Sequence, residues 1–281
     1  MSELTWTKTQ ENRLRELGVK PQDIPSSFTS AATRNQSFQH LEKELVSKHK
    51  EQLTSFLTKA GRVTLEELSE KLSETLCGQG FTRVTTPTII TRAALAKMTV
   101  DENHPLSQQV YWISEHQCLR PMLAPNLYSL MTDLKRLQHR PIRFFEIGSC
   151  FRKESDGAKH KSEFTMLNLV EMGTPEDERA ERLKELATTV AEAAGLARFK
   201  LVSEESQVYG TTMDIVAGPD EIEVASGAIG PHPLDIAWKI TDTWVGIGFG
   251  LERLLMTAAG DTSIGRWGKN LAYLNGICLS L

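Results

Sequence analysis

Phe144-Phe-Glu-Ile-Gly-Ser-Cys-Phe-Arg-Lys-Glu154, a charged stretch from Ser155 to Ser162, and Glu163-Phe-Thr-Met-Leu-Asn-Leu-Val-Glu-Met172 read as two strands joined by a polar loop containing Gly157. Downstream, Pro175–Ala194 has the apolar spacing of an amphipathic helix and stops at Gly195. Four more strand-like runs follow, at about 197–203, 208–217, 221–230 and 243–249, and then a helix over Leu251–Ala258. Upstream, Thr64 with Glu67 three residues on gives a capping start to a helix that runs to about Cys77 and ends at Gly78 and Gly80. Phe81 to Ile90 is a β-branched run interrupted by Pro87, which demotes it to an edge strand. Val110–Ile113 and Cys118–Leu119 read as short strands, and Pro125–Leu137 as a helix with proline in its first turn. Hairpin-linked strands with helices before and after them predict an antiparallel sheet flanked by helices, an α+β architecture.

The first 60 residues differ in texture. Ser2–Leu17 has helical spacing with Gly18 as a stop, and Pro21–Ser30 reads as a loop. Phe38, Leu41, Leu45, Leu53, Phe56 and Leu57 mark one or two further helices. We therefore expect an N-terminal helical segment over residues 1–60 that contacts a partner or packs, and a main domain over 61–281.

Bulk properties narrow the class. No apolar run reaches the roughly 18 residues of a membrane span, and the charged start lacks the apolar core of a signal peptide. Cys77, Cys118, Cys150 and Cys278 are widely spread, with no CxxC pair, which predicts reduced thiols in a cytoplasmic protein. The formal net charge is −4, yet Lys135–Lys161 holds eight Lys or Arg against three acids. A local excess of this kind is consistent with a phosphate-binding face in an otherwise acidic chain.

Three patterns carry chemistry. In Phe151-Arg152-Lys153-Glu154, residues two apart on a strand share a face, so Arg152 can clamp a phosphate where Glu154 accepts from a base. Phe164, on the return strand, can stack on that base. In Gly246-Ile-Gly248-Phe-Gly250-Leu-Glu-Arg253, alternate glycines clear one strand face for a flat ligand, and the following helix start favours an anion. The third pattern is the helix before Cys77, then Gly80, then Val84-Thr-Thr-Pro87.

In this order the three resemble the signature motifs of class II aminoacyl-tRNA synthetases. Leu119–Tyr128, Phe145–Ser155, His160–Asn168, Trp244–Leu255 and the closing Tyr273-Leu-Asn-Gly276 are more closely similar to the pyrrolysyl-tRNA synthetase family, over roughly residues 60–281. The resemblance is to the short type without a separate basic tRNA-binding domain. It implies ATP and Mg²⁺ as cofactors, tRNA and an amino acid as partners, and a homodimer built on the first motif. It implies that Arg152 holds the α-phosphate, Glu154 reads the adenine amino group, and Phe164 and Arg253 enclose the ring. His160 would lie near the terminal phosphates or the tRNA end, and Glu223 and Ser226 would contact Mg²⁺ and phosphate.

The same resemblance implies an amino-acid pocket of Ala124, Leu127, Tyr128, Met131, Asn168, Val170, Tyr209, Ala228 and Trp244. This set is large, apolar and nearly uncharged, so it suits a long neutral side chain and rejects a charged one. Asn168 would bond the side-chain amide of pyrrolysine, with Tyr209 closing over its ring. Gly227 replaces an expected methyl-bearing residue, which predicts a slightly larger pocket. The competing readings are a phenylalanyl-like class II enzyme and a non-catalytic synthetase paralogue that binds tRNA. Asn168 argues against the first, and Arg152, Glu154, Glu223 and Arg253 argue against the second.

Overall fold

The structure is a computed structural model, and it describes residues 4–20, 27–137, 139–153, 160–206 and 208–281. Its contacts divide into two compact units, one of Met1–Val63 with Asn270–Leu281 and one of Thr64–Lys269.

In the smaller unit, helix α1 spans Lys8–Glu16 and α2 spans Ala31–Thr58. A capping box starts α1: the Thr7 hydroxyl accepts from the Gln10 amide at 3.2 Å, and Gln10 Oε1 accepts from the Thr7 amide at 3.1 Å. Gly18, at φ +86°, lets the chain leave the helix. Trp6 packs edge-on against Phe28 and Phe38, and Arg13 pairs with Glu42 at 2.8 Å, fastening α1 to α2. Of the one or two helices expected after Pro21–Ser30, the structure has one continuous helix.

The larger unit begins with α3 (Thr64–Gly78), followed by strands β1 (Thr82–Arg83) and β2 (Ile89–Thr91). Next come the short helices α4 (Arg92–Ala96) and α5 (Pro105–Gln108), strand β3 (Gln117–Leu119) and α6 (Ala124–Leu134). Strands β4 (Ile142–Phe151) and β5 (Glu163–Met172) form the expected hairpin, and α7 (Arg179–Ala193) follows. Then come β6 (Phe199–Ser206), β7 (Gly210–Ala217), β8 (Ile222–Gly230), α8 (Asp235–Trp238), β9 (Trp244–Gly250) and α9 (Leu251–Ala258). The final hairpin, β10 (Tyr273–Leu274) with β11 (Ile277–Cys278), groups with the smaller unit, a return that the expected 61–281 domain did not include.

Seven strands form one sheet in the order β1-β4-β5-β9-β8-β7-β6; only the edge pair β1–β4 is parallel. Alternation assigns the two faces. Phe145, Leu167, Leu169, Ile247 and Phe249 point into a core closed by Leu68, Leu72 and Leu76 of α3, Leu183 and Leu186 of α7, and Leu254 of α9. Their neighbours Phe144, Asn168, Val170, Gly246 and Gly248 face the other way, beneath α6.

Three sequence expectations change. The run Phe81–Ile90 is not one strand: β1 ends at Arg83, and β2 pairs with β3 in a separate two-stranded sheet. The reason is that side chains occupy the carbonyls between them. Arg120 Nη1 donates to Thr86 O at 3.2 Å, and Asn126 Nδ2 to Pro87 O at 2.8 Å. Val110–Ile113 forms only an isolated bridge, Trp112 to Cys118. Finally, β4 ends at Phe151, so Arg152 lies just past the strand. Its backbone N–H donates to the Ser162 carbonyl at 3.0 Å and holds it in line.

Candidate active site

The face of the sheet that alternates away from the α3–α7–α9 core lines a cavity of about 490 Å³. Arg152, His160, Phe164, Glu223, Ser226 and Arg253 all border it, as do Ala124, Leu127, Tyr128, Met131, Asn168, Val170, Tyr209, Ala228 and Trp244. Glu154 lies outside the described residues. Every other candidate residue therefore meets around one space.

Each wall follows from local structure. Arg152 Nε donates to the Pro121 carbonyl at 2.9 Å, and its guanidinium lies 5.3 Å from the centre of the Phe164 ring. The pair forms a cationic, aromatic end. Arg253, in the first turn of α9, donates from Nη1 to the Glu223 carbonyl at 3.1 Å, and that nitrogen is 3.9 Å from the Glu223 carboxylate. Between these arginines the glycines of β9 leave the floor open. A Cβ on Gly248 would sit 2.7 Å from Asn168 Oδ1, and one on Gly246 would sit 3.1 Å from the Trp244 ring. Gly248 thus gives the Asn168 amide the room to lie flat.

The amino-acid end is built from β5, β8, β9 and α6. Tyr128 stacks on Trp238 at 5.5 Å and meets Trp244 edge-on at 5.8 Å, and Trp244 Nε1 is anchored to Asp235 at 3.0 Å. Burial, then Tyr209 and Asp235, pushes the Tyr128 phenol far above its usual range; burial does the same to Tyr209. Both phenols are therefore neutral donors at ordinary pH. The Oδ1 of Asn168 is buried and has no partner among the described residues. Gly227 points the other way: a Cβ there would meet Leu183 of α7 at 3.0 Å. The expectation of a pocket enlarged by Gly227 is corrected accordingly, because alternation along β8 turns Ser226 and Ala228 to the cavity and Gly227 to the core.

Other lining residues escaped sequence reading. Glu252, next to Arg253, is buried; its two oxygens accept from the Thr165 amide at 2.8 and 2.9 Å. Burial raises its carboxyl above the usual range, against that amide donor. Lys161 donates to Lys269 O at 2.8 Å, and burial holds its ammonium below the usual lysine range. Asp214 on β7 is also buried against the cavity. Asp214 sits in a strand, Glu252 at an ordinary helix start and Lys161 just before β5, and no local spacing distinguishes them from solvated charges.

The basic stretch 135–161 is largely spoken for internally. Arg140 pairs with Asp242 at 2.9 Å and Arg143 with Glu171 at 2.6 Å, while Lys135 donates to the Lys239 carbonyl. The Arg136 side chain is exposed. The reading of this stretch as one continuous phosphate face is narrowed to its exposed members.

A family model described as the phenylalanyl tRNA synthetase beta chain CLM domain matches residues 50–232. A threonine–tRNA ligase of Nitrosomonas europaea is 28% identical over 105 residues, 36% of this chain and 16% of that protein. A lysine–tRNA ligase of Laribacter hongkongensis is 27% identical over 196 residues, 67% of this chain and 35% of that protein. The chain thus spans about a third or less of these curated relatives. Two solved structures of pyrrolysyl-tRNA synthetase from Desulfitobacterium hafniense align along the whole molecule. One has TM-score 0.93 and 51% identity, covering 100% of both chains. The other has TM-score 0.90 and 50% identity, covering 99% of this chain and 96% of that one. An antiparallel sheet with the motifs in this order, and identity of this level along the full length, make the chain a member of the pyrrolysyl-tRNA synthetase family of class II aminoacyl-tRNA synthetases.

Proposed function

We propose that the chain activates pyrrolysine with ATP and transfers it to the 3′ end of an amber-decoding tRNA. The observation that carries the substrate reading is Asn168. A buried amide oxygen without a partner is costly in an apolar wall, and a ligand amide N–H in the cavity would satisfy it. The surrounding Leu127, Met131, Val170 and Trp244 take a long apolar stem, and no cation among those walls invites a charged side chain.

In the activation step the amino-acid carboxylate attacks the α-phosphorus, and pyrophosphate leaves. Arg152 meets the charge that grows on the phosphoryl oxygens, while Phe164 and Arg253 enclose the base between them. His160 and Lys161 lie toward the phosphate end. The tRNA terminal hydroxyl then attacks the adenylate carbonyl and AMP leaves. Glu223 and Ser226 are oxygen donors of the kind that Mg²⁺ takes, and the ion when bound would neutralise phosphate charge there. The Glu223 carboxyl is raised above its usual range by the surrounding protein, with Asp214 adding and Arg253 opposing. Its side chain is nonetheless 52% exposed, so this is the desolvation of a cavity mouth, not of a core.

Pyrophosphate exchange across a panel of amino acids tests the reading. Exchange is expected to be fastest with pyrrolysine. The phenylalanyl-like alternative has the family model over 50–232 in its favour; exchange with phenylalanine and none with pyrrolysine would establish it instead.

Three further features belong to this reading. A homodimer formed through α3 and the segment that ends at Pro87 would be isologous, and light scattering at micromolar protein should return about twice 31.4 kDa. A monomeric mass would remove it. A cytoplasmic location fits the four free cysteines; no described helix is long and apolar enough to cross a membrane. For tRNA, binding should weaken steeply as salt rises, and charge reversal at Arg136 should impair aminoacylation much more than exchange, with the deficit largest at low salt. Arg140 is not a clean probe, since its pairing with Asp242 makes its loss a structural change. Equal loss of both activities in Arg136→Glu would put that residue in the fold.

A further inference from the structure

The amino-acid end of the cavity stands on β5, β8, β9 and α6, except at Tyr209, which lies in the connection between β6 and β7. Inside that connection the Ser206 hydroxyl accepts from the Val208 and Tyr209 amides at 3.2 and 3.3 Å. A hairpin tip joined to the sheet by such local bonds opens more easily than a strand in the middle of a ladder.

A second segment reaches across to it. His232, between β8 and α8, places Nε2 2.7 Å from the Tyr209 carbonyl oxygen, and its ring meets the Tyr209 ring edge-on at 5.6 Å. The other ring nitrogen assigns the proton: Nδ1 accepts from the Leu234 amide at 3.2 Å, so Nε2 carries the N–H and donates to the carbonyl.

The imidazole is itself held in place. Pro231 and Pro233 flank it, and because a proline fixes its own φ and restricts the residue before it, the backbone here has few alternatives. The His232 amide donates to Asp235 Oδ2 at 2.7 Å, the same oxygen that accepts from Trp244 Nε1 at 3.0 Å. The Asp235 amide donates back to the His232 carbonyl at 2.9 Å. Asp235 is 2% exposed, so water does not compete for these bonds. One carboxylate thus ties His232 to Trp244 in the pocket wall, and His232 ties Tyr209 to both. His232 is not among the described residues that line the cavity; it touches one that is.

We infer that His232 is a positioning residue for amino-acid recognition, latching Tyr209 to the wall formed by Asp235 and Trp244. The inference rests on the reading of this end of the cavity as the amino-acid pocket. A Tyr209 already in place spares the ligand the cost of ordering the connection that carries it. The latch therefore contributes to amino-acid affinity and not to the attack on phosphorus. Its loss should raise the KM for the amino acid and leave kcat and the KM for ATP near wild type.

The test is pyrophosphate exchange with pyrrolysine on the full chain, run as a double-mutant cycle. His232→Ala should raise the KM for pyrrolysine about tenfold, the worth of one well-shielded hydrogen bond. His232→Gln keeps an N–H that can reach the Tyr209 carbonyl, and should recover most of that loss. Tyr209→Ala keeps the carbonyl and removes the ring that the latch positions, so adding His232→Ala to it should change the KM no further. An unchanged KM in His232→Ala overturns the inference, as does an equal rise on the Tyr209→Ala background, which would make the role of His232 one of general support. A matching rise in the KM for ATP overturns it in the same way. His232→Phe keeps a ring against Tyr209 without its polar atoms and replaces alanine in the cycle if the alanine variant does not fold. Failure of the wild type to exchange with pyrrolysine overturns both the inference and the substrate reading beneath it.

Discussion

Arg152→Ala is expected to slow adenylate formation by about 10²–10³-fold while leaving the melting curve nearly unchanged. The side chain donates to the Pro121 carbonyl and lies over the Phe164 ring at the edge of the cavity. It fills no core position. Its guanidinium faces the space in which negative charge would accumulate as the amino-acid carboxylate attacks phosphorus, so its loss acts on the transition state. Lysine would not substitute, because a single ammonium lacks the fork that grips two oxygens. The measurement is pyrophosphate exchange under saturating ATP and amino acid, accompanied by thermal denaturation. Exchange within about threefold of wild type would remove Arg152 from the chemistry. A large fall in melting temperature would make it a structural residue instead.

That a single guanidinium could be singled out from sequence follows from how the site is written. Strands β5 and β9 alternate cleanly between core and cavity, so Asn168, Val170, Gly246 and Gly248 declare their face by parity alone. Other parts depend on events that parity misreads. A bulge in β8 at Val224 reverses the face of Glu223, and only the position of Glu223 in the family pattern selected it in advance. Asp214 and Glu252 sit among ordinary strand and helix residues, and their burial is decided by distant elements. The basic run around Arg140 reads as a surface patch until Asp242 and Glu171, far along the chain, are brought beside it. Local spacing determines a face; it does not determine which charge waits on the other side.

The network beneath Arg152 illustrates the same limit and supports the second large prediction. Arg120 is 3% exposed and Glu146 1%; they meet at 2.7 Å. Arg120 Nε also donates to Ser149 O at 2.8 Å, and Nη1 to Thr86 Oγ1 at 3.1 Å. Glu146 takes the Thr86 amide and hydroxyl besides. Gly148 leaves room for this, since a Cβ there would come within 2.2 Å of Arg120 Nη2. One buried pair thus joins the segment ending at Pro87, strand β4 and the turn into α6. Arg120→Met removes the cation and leaves Glu146 charged in the core. Loss of one partner of such a pair costs about 3–5 kcal/mol, which for a unit of this size lowers the melting temperature by roughly 10 °C. The double variant Arg120→Met with Glu146→Leu removes both charges and should recover most of that loss, because apolar groups of similar volume replace the pair. Exchange should stay slow in the double variant: the carbonyl that orients Arg152 belongs to Pro121, the residue after Arg120, and its position depends on the lost bonds to Ser149 and Thr86. Thermal denaturation and pyrophosphate exchange on the three proteins separate the effects. A single variant melting within about 2 °C of wild type would show that the pair is not stabilising; full exchange in the double variant would show that it does not position Arg152.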